Sequence, residues 1–175
     1  MTASPSLDDR LDEAARAGDP RAAVASVLRD SYDAARARAE RKLDGGLNGR
    51  EVARLYATAA DDMLAALWRV ATQTLHPVSP VECERLSLVA VGGYGRGVLA
   101  PYSDLDLLFL RPGKPTPRGE RVIEFILYVL WDLGAKVGPS VRSVEDCLAL
   151  SRTDMTGAPP CWRPGRWPGT PGFRT

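Results

Sequence analysis

The order of its apolar runs predicts an α/β protein led by helices. Three observations carry that reading. Apolar residues recur at helical spacing through about the first eighty positions. At about Leu86 the pattern changes to short, β-branched runs. A cluster of glycines then separates two of those runs ahead of a further helical stretch.

The leading helices are marked by their caps. Ser6 with Asp9 three positions on resembles a capping box, opening a short helix that stops by Gly18. Asp19 followed by Pro20 supplies an N-cap and a first-turn proline for a second helix. Val24, Val27, Leu28, Tyr32, Ala35, Ala39 and Leu43 form its apolar repeat, and Gly45-Gly46 ends it. Asn48 with Glu51 caps a third helix, which repeats Val52, Leu55, Ala59, Met63, Leu67 and Val70 and stops at His76-Pro77. LSLVAV, ended by Gly92-Gly93, then reads as a buried strand, and SDLDLLFL, closed by Arg111-Pro112-Gly113, as a second. Thr116-Pro117 opens a helix with Val122, Phe125, Ile126, Val129, Leu130 and Leu133 on one face, ended by Gly134. Lys136 to Arg142 fits a third short strand, and Ser143 with Asp146 caps a last helix to about Leu150.

Composition narrows the function. Hydrophobic residues make up 45% and charged residues 26%, as in an ordinary globular domain. With 23 basic against 22 acidic residues, net charge is +1, which gives no electrostatic footprint for nucleic acid or a membrane surface. The polar, acidic N-terminus does not resemble a signal peptide. The apolar run from Val122 to Leu133 is too short and too interrupted by acids to span a bilayer. Cys83, Cys147 and Cys161 are widely spaced, without a Cys-x-x-Cys pair, so a reducing cytoplasm is the expected compartment. From Thr156 on there are five prolines, four glycines, three arginines, two tryptophans and no acid, without helical or strand periodicity. That segment is expected to be an irregular tail. The rest of the chain is rich in Ala and Arg, so a shift of reading frame after Met155 is one suspected source of it.

The chemistry sits between Val89 and Leu110, VAVGGYGRGVLAPYSDLDLLFL. Residues two apart in a strand share a face, so Asp104 and Asp106 are expected to project together while Leu105 and Leu107 enter the core. Two acids side by side repel, and a divalent cation removes the penalty. Magnesium commonly takes one or two carboxylates plus substrate phosphates. A pair of exposed acids at a strand end fits Asp-x-Asp alone equally well. Gly92, Gly93, Gly95 and Gly97 turn the backbone sharply and let its N–H groups approach a ligand. A short helix near Gly95 would present its N-terminus to a triphosphate. Neither a Walker A loop nor the dinucleotide fingerprint fits the spacing. Alone, such glycines mean a tight turn more often than a phosphate site.

Together, strand, Gly-Gly, short helical turn, Ser-Asp-x-Asp and strand resemble the polymerase-β nucleotidyltransferase superfamily. GGYGRG followed by PYSDLDLL is similar, more closely, to the N-terminal catalytic domain of the PII uridylyltransferase/uridylyl-removing family. The similarity continues through LWDLGAKVGPSVRSVEDCLAL and fades after Met155. It implies a small mixed sheet and three regions: a helical segment 1–80, a partial nucleotidyltransferase core 81–155, and the tail 156–175. It also implies Gly92 and Gly93 at the nucleotide triphosphate and Asp104 and Asp106 as Mg2+ ligands. Ser103 and Arg96 are candidates for a phosphate contact, although a solvated surface arginine is an equal reading of Arg96. The implied reaction moves UMP from UTP to a tyrosine of the PII protein, and some relatives use ATP instead.

Departures from the family stand out. Pro139 replaces the histidine usual in Gly-His-Ser-Val-Arg, and no third carboxylate can be assigned up to residue 155. The family also continues into further helices, a phosphohydrolase domain and two ligand-sensing domains, so this chain by itself is expected to be inactive. The alternatives are a non-catalytic nucleotide-binding remnant, or a stand-alone minimal nucleotidyltransferase with another acceptor. His76, the sole histidine, reads as a helix cap, and Trp68, Tyr128 and Trp131 as core or boundary packing.

Overall fold

The computed structural model describes residues 5–78 and 85–153, the last three by their backbone alone. The tail 156–175, with Trp162 and Trp167, lies outside the described residues.

Capping sets the helix starts where the sequence placed them. Ser6 and Asp9 exchange the two hydrogen bonds of a capping box at α1 (Leu7–Ala14). The Asp19 carboxylate accepts from Ala22 N–H at α2 (Pro20–Asp44). Asn48 accepts from Glu51 N–H at α3 (Gly49–Arg69). Beyond Arg69 the chain widens into a π-helical segment, Val70–Leu75, which the apolar spacing does not reveal. Its terminal carbonyls meet a buried cation. Arg118 donates from Nε to the His76 carbonyl at 2.7 Å and from Nη2 to the Thr72 carbonyl at 3.2 Å. Charged donors on helix-end carbonyls satisfy acceptors that would otherwise be orphaned. Arg118→Ala is therefore expected to lower unfolding free energy by about 2–3 kcal/mol, the scale of charge-assisted bonds and the desolvated acceptors they leave. Denaturant titration would measure it, and an unchanged midpoint would show that these bonds are passive.

The sheet has three strands in the order β1 (Ser87–Ala90), β2 (Leu105–Arg111), β3 (Val137–Ser143). β1 runs antiparallel to β2, and β2 parallel to β3, so the sheet is mixed. A parallel return needs a crossover, supplied by α5 (Pro117–Asp132), whose Thr116 cap accepts from Gly119 N–H at 3.1 Å. α6 (Val144–Thr153) follows β3 directly, opened by the reciprocal Ser143–Asp146 pair. Leu105, Leu107 and Phe109 alternate onto the helical side, where they join one core with Val24 and Leu28 of α2, Leu64 and Leu67 of α3, and Ile126 and Leu130 of α5. Strand periodicity puts Asp106 on the opposite face. Arg21 pairs with Asp132 at 2.8 Å, and Arg29 donates to the Asp132 carbonyl, tying α2 to the end of α5.

The sequence misplaced several details. β2 starts at Leu105, leaving Asp104 one residue ahead of it. The helical turn among the glycines, α4 (Gly92–Gly95), begins at Gly92 and not near Gly95. Leu43 is exposed, as are Tyr128 and Trp131, which meet edge to face at 5.5 Å with Arg21 over the Tyr128 ring. A helical repeat cannot tell a buried face from a rim covered by its own aromatic and cationic contacts. Trp68, by contrast, packs against the core, and His76 stands at the C-cap of the π-helical segment. Pro139 is accommodated by register. Leu105 N–H donates to the Lys136 carbonyl, so the backbone groups of Gly138 and Ser140 face β2, while those of Pro139 face the open edge. Among the described residues no helix is long and apolar enough to cross a membrane.

Candidate active site

The site begins where β1 ends. Val91 N–H donates to the Asp106 carbonyl at 3.0 Å, which holds the glycine turn beside the second acid. Gly92 then adopts φ +61 and enters α4, closed by Gly95 N–H on the Val91 carbonyl at 2.8 Å. A left-handed residue with a side chain would cost roughly 1–2 kcal/mol there. As the first residues of a helical turn, Gly92, Gly93 and Tyr94 point N–H groups that have no acceptor within the helix. Such groups suit an anion.

The Asp106 carboxylate lies between two glycines. A methyl group on Gly92 would overlap Oδ2 and stand 3.0 Å from Cγ; one on Gly138 would stand 2.9 Å from Oδ1. Asp104 is exposed at the mouth of β2. Among the described residues, neither carboxylate has a side-chain hydrogen bond or ion pair. Both therefore keep their lone pairs for a ligand. No group of three His, Cys, Asp or Glu side chains gathers among the described residues, so a cation here would draw on two carboxylates and on substrate oxygens.

The other candidates are placed as follows. Arg96 is exposed, and its Nη2 lies 3.7 Å from the position a Gly93 side chain would occupy, so the guanidinium folds over the turn. Ser103 donates from its hydroxyl to the Ala100 carbonyl at 2.9 Å, and its N–H bonds the same carbonyl at 3.2 Å. Its first commitment is thus to the turn that delivers Asp104. Tyr102 sits in that turn with φ +66, its ring 5.6 Å from the Arg36 guanidinium. That cation–π contact offsets part of the backbone strain, at roughly 0.5–1 kcal/mol for an exposed pair.

Tyr94 is the residue the sequence reading passed over. It is buried, and its hydroxyl donates to Asp61 Oδ1 on α3 at 2.6 Å. Desolvation, then the neighbouring Asp61 charge and the bond to it, push the phenol far above its ordinary range, so it stays a donor. Burial likewise raises the Asp61 carboxyl, against the pull of this bond. With Leu99 N–H on the Ala53 carbonyl at 3.0 Å, Tyr94 fastens the glycine loop to the leading helices. An aromatic inside a glycine turn was the available signal, since a ring flanked by residues without side chains can pack closely against a neighbouring element. Tyr94→Phe is expected to cost about 1 kcal/mol of stability, the usual worth of one such bond. It should also loosen nucleotide binding several-fold. Thermal melting and nucleotide titration check both, and unchanged affinity would remove Tyr94 from the support of the site.

A strand, a left-handed glycine entering a short helical turn, and a carboxylate packed beside that glycine lie next to one another here. Residues 79–157 match the family described as a nucleotidyltransferase domain. That stretch of the chain belongs to the nucleotidyltransferase family. The chain is 46% identical over 147 residues to a bifunctional uridylyltransferase/uridylyl-removing enzyme of Caulobacter vibrioides, covering 83% of this chain and 16% of the relative. Proteins of the same name from Phenylobacterium zucineum and Ruegeria pomeroyi are 47% and 45% identical over 78% and 89% of the chain, which spans 15% and 18% of them. The chain thus spans under a fifth of the length of these curated relatives. No solved structure matches it. An alignment of 147 residues is longer than the 95 from position 81 to 175, so the likeness takes in part of the leading helices as well as the nucleotidyltransferase domain.

Proposed function

We propose that the chain binds UTP with Mg2+ and belongs to an enzyme that transfers UMP to a tyrosine hydroxyl of a PII-type signalling protein in the cytoplasm. The supporting observation is the contact of Asp106 with the first glycine of the turn, which makes the carboxylate and the unpaired N–H groups contiguous. In this reading Gly92 and Gly93 take the triphosphate through their N–H groups, with Arg96 above them. Asp104 and Asp106 hold the cation, which when bound would offset phosphate charge and help activate the nucleophile. The tyrosine oxygen attacks the α-phosphorus, the bond to the pyrophosphate oxygen breaks, and the hydroxyl proton leaves to solvent. The chain's own part is to place the phosphates in line and to keep them from rotating. Residues 1–80 act as the scaffold that anchors the glycine loop of the core at 81–155, through Tyr94 and Leu99. The glycine turn and the two acids address the phosphates and the cation, not the base, so ATP is the competing donor.

Incubation with a PII protein, labelled UTP and Mg2+ tests the reading. Label on a tyrosine of that protein, absent with Asp106→Asn, supports it. UTP binding without transfer would favour a second reading, a nucleotide-binding module. Absence of UTP binding would overturn both.

A further inference from the structure

We propose that Gly138 is a positioning residue for Asp106, the absent side chain on β3 being what keeps the carboxylate turned toward the glycine turn. The inference rests on the reading of Asp106 as a cation ligand and extends it to a residue on another strand.

Glycine in a strand interior is unfavourable in itself, through backbone entropy and the lack of a packing side chain. Two ordinary reasons for it are absent here. Gly138 does not adopt a positive φ, so its backbone demands nothing that another residue cannot give. It lies within β3, not at a turn. A third reason remains. Gly138 pairs directly opposite Asp106 in the parallel register, and directly paired residues share a face. Among the described residues, the one atom a Cβ at Gly138 would meet within 4 Å is Asp106 Oδ1, at 2.9 Å. On the other side Gly92 closes on Oδ2 and Cγ. A methyl at 138 therefore cannot be absorbed by moving the carboxylate toward Gly92. It has to rotate the group out of the slot, away from the N–H groups of α4. Gly92 and Gly138 together define one orientation of Asp106, fixed without a single hydrogen bond to it from the described residues. That leaves both oxygens free for a cation.

Mn2+ binding in the presence of UTP, followed by electron paramagnetic resonance, reads the effect without turnover. Gly138→Ala is expected to weaken Mn2+ at least roughly ten-fold, the scale at which groups that orient metal ligands act. Its melting temperature should not exceed that of the parent, because the gain expected of alanine in a strand is spent on the contact with Oδ1. In an Asp106→Ala background the same substitution should leave residual Mn2+ binding unchanged and raise the melting temperature. Parent-like Mn2+ affinity in Gly138→Ala overturns the proposal. If Gly138→Ala does not fold, recovery of folding in the Asp106→Ala background supports it, and no recovery overturns it. If the parent itself binds no Mn2+, the cation reading of the acids fails separately. The slot is then judged on melting temperatures, where additivity of the two substitutions overturns it and coupling upholds it.

Discussion

Asp106→Asn is expected to weaken binding of Mg2+ with UTP on the order of 100-fold, about 2.7 kcal/mol at ~1.4 kcal/mol per decade. The melting temperature of the free protein should stay level or rise. The argument starts from what surrounds the carboxylate. No described residue gives it a hydrogen bond or an ion pair, so replacing the carboxylate leaves no described partner unmet. Asparagine has the same shape and fits between Gly92 and Gly138 as the acid does. The change therefore removes charge at constant geometry. Magnesium is a hard cation that prefers charged oxygen donors, and with only two acids near it each matters greatly. Asp104→Asn should act in the same direction but less strongly. Asp104 stands exposed ahead of β2, where water competes for the cation and side-chain freedom has to be given up to bind it. Isothermal titration with Mg2+ and UTP measures both variants. Parent-like affinity in Asp106→Asn would end the assignment of this acid to a cation.

What the sequence made legible follows from which interactions are local. Ser6–Asp9, Asp19–Ala22, Asn48–Glu51 and Ser143–Asp146 act across three residues, so the caps could be read in a linear text, and the structure realises each of them. The glycine turn and the acids were legible for the same reason, being carried by one short segment. The relations between segments were not. Nothing in the spacing says that Gly138 lies against Asp106, thirty-two positions earlier, or that Tyr94 reaches Asp61 on α3. Both depend on strand register and helix docking, which are set by the whole core. Arg118 illustrates the limit in another way. As one arginine among many it carries no mark in the sequence, yet it is buried against the carbonyls of a π-helical segment that apolar periodicity does not disclose.

Gly92 and Gly93 are adjacent, yet substitution at the two should fail for different reasons. At Gly92, alanine meets two obstacles at once. The backbone is left-handed at φ +61, a conformation that costs an L-residue roughly 1–2 kcal/mol. The new methyl also overlaps Asp106 Oδ2. Relief requires either the carboxylate to swing out or the turn to reopen, and either one separates the acid from the N–H groups. Gly92→Ala should therefore lose both stability and nucleotide binding, the latter by on the order of 100-fold, comparable to deleting one charged hydrogen-bonded contact of about 3 kcal/mol. At Gly93 the backbone is not left-handed, and the nearest atom is the flexible end of Arg96 at 3.7 Å, an ordinary contact distance. Alanine should be tolerated there by the fold. Valine should fold as well, with helix content by circular dichroism close to that of the parent, but its branches stand where the phosphates approach under Arg96. Nucleotide titration of the three variants separates the cases. Gly93→Val folded and unable to bind places the triphosphate over this residue. Gly93→Val folded and binding as the parent does would mean that the turn serves the backbone alone. The Gly92→Ala loss would then belong wholly to the displacement of Asp106.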